Sequence, residues 1–238
     1  MPSHRTKSPQ TKMADLSRGN MRYPRIIQAE SDSMGLDKSQ RTALRLRIAA
    51  AELLEDRSVN ELHVADISKH AGVSHGTFYT HYKNRHDIVQ AIIEEYFDIL
   101  DRDLRPGHAA DEFTRIRDTT AAFIRYYCEN LGLMRCIRAL SEQDPLFAAL
   151  KRKTDAAWYN RNISHLSRTE VGKNMSADQI KLLVYALGSM VEEFLYVRFQ
   201  NPDPIVVGLT KTEDDVVEKL SAIWYRALYL RDPPGMTS

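Results

Sequence analysis

The chain has 238 residues, 43% hydrophobic and 27% charged, which suits one or two globular domains with room for a core. Its 33 Lys and Arg stand against 32 Asp and Glu, so it is no polycation, and any nucleic-acid contact must rest on local charge. Ten Gly and nine Pro are few for a turn-rich all-β fold, no run of about 18 apolar residues offers a membrane span, and the opening MPSHRTKSPQTK lacks the apolar core of a signal peptide. Two cysteines, Cys128 and Cys136, exclude a disulfide framework and a four-ligand zinc site. The expectation is a cytoplasmic, mostly helical protein with no cofactor.

Residues 1–38 carry seven Lys or Arg against four acids and show no periodicity apart from Tyr23-Pro24-Arg25-Ile26-Ile27. This segment is expected to be a disordered basic arm, either a solvated tail or an extension reaching into a DNA minor groove. From Ser39 a helical period begins, with Ala43, Leu46, Ala50, Leu53 and Leu54 on one stripe. Asp56-Arg57-Ser58 breaks it. Val64 to Ala71 reads as a short helix ended by Gly72, and Ser74 caps a second short helix running to Tyr82. A longer helix covers 86–104. Beyond Pro106-Gly107, helical stretches are expected at about 110–130, 132–142, 145–168, 176–200 and 213–231, with breaks at Gly132, Asp144-Pro145, Gly172 and Asn201-Pro202-Asp203-Pro204. No segment alternates with period two over a useful length.

Two short helices joined through Ala71-Gly72-Val73-Ser74 make a helix-turn-helix. The turn needs a residue that tolerates positive φ, hence Gly72. Val73 fills the gap between the helices, Ile67, Ala71 and Phe78 supply a small core, and Ser68 is small where the helices meet. Ser74, His75, Thr77, Tyr79, Thr80 and His81 remain outward. They are compact hydrogen-bonding groups suited to base edges and phosphates in a major groove. Lys83 and Arg85 follow, placed for phosphate contact.

The run from Ala65 to Arg85, ADISKHAGVSHGTFYTHYKNR, resembles the DNA-binding domain of the TetR family of bacterial transcriptional regulators, above all in G-V-S-x-G-T-F-Y-x-H-Y-K. The resemblance covers about 41–100. It implies an all-α fold with an N-terminal three-helix DNA-binding domain at 39–86 and a larger C-terminal ligand-binding and dimerisation domain at 87–238, helix 86–104 serving as linker. It implies a ligand-responsive regulator, most simply a repressor, that binds a palindromic double-stranded operator as a homodimer and is released by a small-molecule effector. Carried onto this chain, Ser74, His75, Gly76 and Thr77 sit over base edges, while Tyr79, Thr80, His81 and Lys83 touch sugar and phosphate. The chain departs from the family pattern at Val64-Ala65, which supplies no DNA-contacting Thr or Arg, and at Ser58, which stands where a Gly is usual.

Other chemistries compete for the same residues. Gly72-Val73-Ser74-His75-Gly76 matches the hydrolase elbow G-x-S-x-G, with Ser74 as nucleophile, but that motif needs a buried strand before it, and here an amphipathic helix precedes. His63, His70, His75, His81 and His86 cluster without i,i+4 spacing, which disfavours a metal site. Cys128 and Cys136 read as small hydrophobes before they read as a redox switch. A regulator without a ligand is a further alternative.

Two features point to partners. Helix 176–200 has Ile180, Leu183, Val184, Leu187, Val191 and Phe194 on one stripe and Tyr185, Met190 and Tyr196 off it. The last helix has Val216, Leu220, Ile223, Trp224 and Ala227 on one stripe and Val217, Tyr225 and Leu228 off it. A second apolar face calls for a second partner, so helices 176–200 and 213–231 are expected to pair with their symmetry mates. The stripe Phe113, Ile116, Thr120, Phe123, Tyr127 carries hydroxyls, and the stripe Phe147, Leu150, Thr154, Trp158, Arg161, His165 turns polar at its end. Either that end emerges into solvent, or Tyr127, Arg161, Asn162 and His165 converge on a cavity walled by Phe97, Phe123, Met134, Phe147 and Trp158.

Overall fold

Helix boundaries follow the capping residues. The structure, a computed structural model, describes residues 20–105, 107, 109–229 and 234–235. Helix α1, Tyr23–Ser33, opens on Pro24. Helix α2, Lys38–Asp56, starts with a capping box in which Asp37 accepts from the Gln40 N–H and Gln40 reaches back. At the 3-10 turn Val59–Glu61 the Glu61 carboxylate accepts from the Ser58 N–H at 2.9 Å and from its hydroxyl at 2.7 Å. Then come α3 (Val64–His70), α4 (His75–Tyr79), α5 (Arg85–Asp103), α6 (Glu112–Glu129), α7 (Leu131–Gln143) and α8 (Pro145–Leu166). The chain finishes with α9 (Glu170–Lys173), α10 (Ala177–Leu195), a π-helical turn at Tyr196–Gln200, α11 (Pro204–Leu209) and α12 (Glu213–Tyr229). Among the described residues there is no strand, and no helix is long and apolar enough to cross a membrane.

The fold is all-α, as expected, with twelve α-helical segments among the described residues rather than about nine. Two of the additions, α9 and α11, are single turns too short to show a period. The third, α1, corrects the expectation of a disordered arm over 1–38. Met21, Tyr23 and Ile27 are buried. The N–H of Tyr23 donates to the Asn130 side chain at 2.7 Å, which in turn donates to the Met21 carbonyl at 2.8 Å. A few apolar anchors and a buried amide thus order a segment whose net charge and polarity suggested a solvated tail. Residues 1–19 of that arm lie outside the described residues. Gly132, expected as a break, lies inside α7, which begins directly after Asn130.

The chain divides into two compact bodies. One comprises Asn20–Leu100 with Tyr126–Arg152. The other contains Asp101–Arg125 with Lys153–Ser238. The first therefore extends past the boundary expected at 86. Its cause is packing: α2 buries Leu46, Ala50 and Leu54 in a core shared with α1 and α7. Arg135 of α7 donates to the Glu55 carbonyl at 2.7 Å, and the buried Tyr96 hydroxyl of α5 to the Tyr126 carbonyl at 3.1 Å. In the second body α10 packs on α12, burying Ile180, Val184, Leu187 and Val191 on one side and Val216, Leu220 and Trp224 on the other. There α8 meets α10 at Gly188, where an added Cβ would stand 2.5 Å from the Tyr159 ring.

Candidate functional site

The helix-turn-helix is built as its residues suggest. Gly72 takes φ +64° at the turn. Arg45 of α2 donates to the carbonyls of Ala71 and Gly72, fixing the turn from behind, a contact that no local pattern announces. Ile67 and Phe78 are fully buried beneath it, and the Ser68 hydroxyl donates to the Val64 carbonyl at 2.8 Å. Ser74 caps α4: its oxygen accepts from the Thr77 N–H at 3.1 Å and shares a hydrogen bond with the Thr77 hydroxyl at 2.7 Å. The Thr80 hydroxyl donates to the Thr77 carbonyl. Exposed on the outer face stand His75, Gly76, Tyr79, Thr80 and Lys83, with Thr77 and His81 half-buried. The His75 ring meets Tyr79 edge-on at 5.2 Å.

A part-buried polar chain holds the far end of this element. The Tyr82 hydroxyl accepts from Arg47 at 3.1 Å, Arg47 pairs with Glu95 at 3.0 Å, and the Tyr23 hydroxyl donates to the same carboxylate. Burial raises the pKa of both Tyr23 and Tyr82, so both stay neutral phenols. Arg85 departs from its expected phosphate contact. It is half-buried and donates to the carbonyls of Asn60, at 2.8 Å, and Leu62. Both bonds leave from Nη1 and tie the start of α5 to the stretch before α3. The Lys83 side chain, by contrast, makes no ion pair among the described residues.

The competing chemistries find little support in this geometry. Ser74 follows a helix and a turn, with no strand before it, and its oxygen caps α4. His70 pairs with Glu52 and His86 with Asp144, and no group of three or more His, Cys, Asp or Glu side chains among the described residues converges on a metal position. The Cys136 thiol is buried, which pushes its pKa up to about 12 and keeps it protonated.

In the second body lies a cavity of about 630 Å³. Trp158, Arg161, Asn162 and His165 line it, and so do Leu104, Arg115, Ile116, Thr120, Trp224 and Tyr229. Phe97, Tyr127, Met134 and Phe147, expected on the same wall, belong to the first body, and Phe123 is not on the lining. Phe147 instead packs edge-on against His86 at 4.7 Å. Periodicity identified the buried face of α6 and α8. It could not register that each long helix contributes one end to each body. Arg115, Arg168 and Tyr229 were missed because they come from separate stretches, although Ile116 and Thr120 already lay on the α6 stripe.

The polar end of this cavity is cationic. Arg161 pairs with Asp101, which also pairs with Arg105 at 2.7 Å, and both arginines hold the Asp101 carboxyl below its usual range, Arg105 first. Arg115 pairs with Glu112 and donates to His165 Nδ1 at 2.7 Å. The Tyr229 hydroxyl donates to Glu112 at 3.0 Å. Burial, then Arg115 and Arg168, depress the His165 pKa and favour the neutral ring.

Residues 47–92 match the profile of the family described as bacterial regulatory proteins, tetR family. Residues 47–92 thus form a domain of the tetR-family type. Over 76 residues it is 30% identical to the HTH-type transcriptional regulator TtgR of Pseudomonas putida. The match covers 32% of this chain and 36% of that relative's length. In fold it is similar to a tetR-family transcriptional regulator from Streptomyces coelicolor, with a TM-score of 0.66, 18% identity and 82% of each chain covered. It is likewise similar to MexZ of Pseudomonas aeruginosa, described as a key repressor responsible for antibiotic resistance, with a TM-score of 0.59, 19% identity, and 82% of this chain and 97% of MexZ covered. The same match is found to the probable HTH-type transcriptional regulator ArpR of Pseudomonas putida, so the chain spans about a third of the length of the curated relatives it matches.

Proposed function

We propose that this protein is a ligand-responsive transcriptional repressor of the cytoplasm. It grips a two-fold-symmetric operator as a homodimer and lets go when a small molecule enters the cavity of the second body. The observation that carries the reading is the G-V-S-x-G-T-F-Y-x-H-Y-K element folded as a capped helix with His75, Gly76, Tyr79, Thr80 and Lys83 exposed. Ser74, His75, Gly76 and Thr77 read base edges, and Tyr79, Thr80, His81 and Lys83 anchor the backbone. Dimerisation through α10 and α12 is supported by apolar side chains left in solvent: Leu182 is 73% exposed, Tyr185 45% and Ile223 41%. Two recognition helices fit DNA only at one separation, so a ligand that favours another separation shifts the population away from the bound form.

Selection of duplexes from a random pool, followed by footprinting, tests this. The expected product is a palindrome whose half-site centres lie about one helical turn, or a multiple of it, apart. An asymmetric site, or binding with no sequence preference, overturns the reading.

A further inference from the structure

We infer that the cavity takes an amphipathic anion, a molecule with an apolar body and one carboxylate- or phosphate-like head. This deepens the effector role proposed above and rests on it for its biological meaning.

The walls differ sharply in chemistry. The apolar part is given by Leu104, Ile116, Trp158, Val184, Trp224 and Leu228. The polar part holds three arginines, Arg115, Arg161 and Arg168, and among the described residues no Asp or Glu lines the cavity. The two carboxylates that pair with these guanidiniums, Asp101 and Glu112, stand off the lining. Asp101 is shared between Arg161 and Arg105, so three guanidiniums are served by two carboxylates. Arg168 has no acidic partner among the described residues. A cationic ligand would meet this positive excess with no acid on the wall, whereas an anion completes it.

Two details sharpen the fit. An arginine only donates, so the Arg115 hydrogen bond makes His165 Nδ1 an acceptor and places the proton of the neutral ring on Nε2. That Nε2 is buried, has no hydrogen-bond partner and lies 3.5 Å from Glu112. With Glu112 at ion-pair distance but no hydrogen bond formed, this donor can turn to an anionic head. Arg161 can turn to such a head without stranding Asp101, which keeps Arg105. The volume falls within the ordinary range for small-molecule sites.

The chain's own fluorescence tests the inference. Its two tryptophans, Trp158 and Trp224, both line this cavity, their rings edge-on at 5.8 Å, so all tryptophan emission reports on it. Decanoate, decyl phosphate and decanol, titrated below micellar concentrations into the full-length protein, share a chain and differ in the head. Both anions are expected to bind at least about tenfold more tightly than decanol, and the stronger of the two names the head. Arg161→Gln and Arg168→Gln are each expected to weaken the anions about tenfold and leave decanol unchanged. Arg168 is exposed, so its variant remains informative if Arg161→Gln folds poorly. Equal binding of decanol and decanoate, arginine variants with unaltered anion affinity, or no emission change with any probe would overturn the inference. A gel shift on the selected operator separates this from the effector role. Arginine-dependent decanoate binding that leaves DNA bound removes the effector role and keeps the ligand class. A neutral ligand that binds the cavity and releases DNA does the reverse.

Discussion

Replacing Gly188 by Ala sets two effects against each other. In a helix interior the substitution gains about 1 kcal/mol of propensity. Here the new Cβ would stand 2.5 Å from Tyr159 Cε1, 2.9 Å from its hydroxyl and 3.1 Å from Trp158 Cζ3. The Tyr159 ring, the nearer of the two, is buried and not free to retreat. Tyr159 stacks on Tyr185 at 3.9 Å, and Trp158 is held edge-on by both Tyr159 and Trp224. Overpacking of this kind costs about 1–3 kcal/mol, so the clash outweighs the propensity and the net loss is about 1 kcal/mol. For a chain of this size that lowers Tm by about 2–4 °C. Gly208→Ala is the control. Gly208 lies in α11 with nothing within 4 Å of an added Cβ, and its Tm is expected to hold or rise. Thermal melts of both variants, followed by tryptophan emission, decide the matter. If Gly188→Ala melts no lower than wild type and its emission is unchanged, the close approach of α8 and α10 is wrong.

Lys83→Ala is expected to weaken binding to all duplexes alike and to reduce the salt slope by ~1, read from gel-shift titrations at several salt concentrations. A change in base preference with an intact slope would count against a phosphate role. His75→Ala and Thr77→Ala should each relax preference at one or two base pairs at a cost of ~1–3 kcal/mol, and a uniform loss across sequences would contradict base readout. His165 is depressed below the ordinary 6.5 in the folded protein, so as pH falls below that value the unfolded chain takes up its proton first. The difference in stability between wild type and His165→Gln is therefore expected to decline as pH falls through 6.5 and to level off below the folded pKa. A difference that is flat, or that grows as pH falls, would show the imidazole is not depressed.

Much of this was legible from local pattern. The run at 65–85 was readable because a turn glycine, a cap and a buried aromatic must fall at fixed offsets, and Gly72, Ser74 and Phe78 occupy them. The long helices were readable from the 3.6-residue period. What stayed hidden is long-range. Tyr23 looked like one aromatic in a basic tail, yet it anchors a helix through Glu95 and Asn130, residues more than 70 positions away. Arg85 looked like a phosphate contact because charge alone does not reveal that two carbonyls wait for it at Asn60 and Leu62. On the cavity wall, Arg161 and His165 were visible as charges on an apolar stripe. Their partners, Asp101 of α5 for Arg161 and Arg115 and Glu112 of α6 for His165, come from other helices whose facing only the fold determines.

The first body is discontinuous in sequence, residues 20–100 being completed by 126–152. On the ribosome the recognition element emerges well before its buttress α7. At ~5–20 residues per second the wait is roughly 3–10 s. Through that interval the face of α2 that later meets α7 has no cover. A fragment cut at the end of the helix-turn-helix would keep that apolar surface bare permanently, so the DNA-reading unit is not a portable module of some fifty residues. Grafting it onto another protein would require carrying the chain through to Arg152, together with the intervening stretch that belongs to the other body.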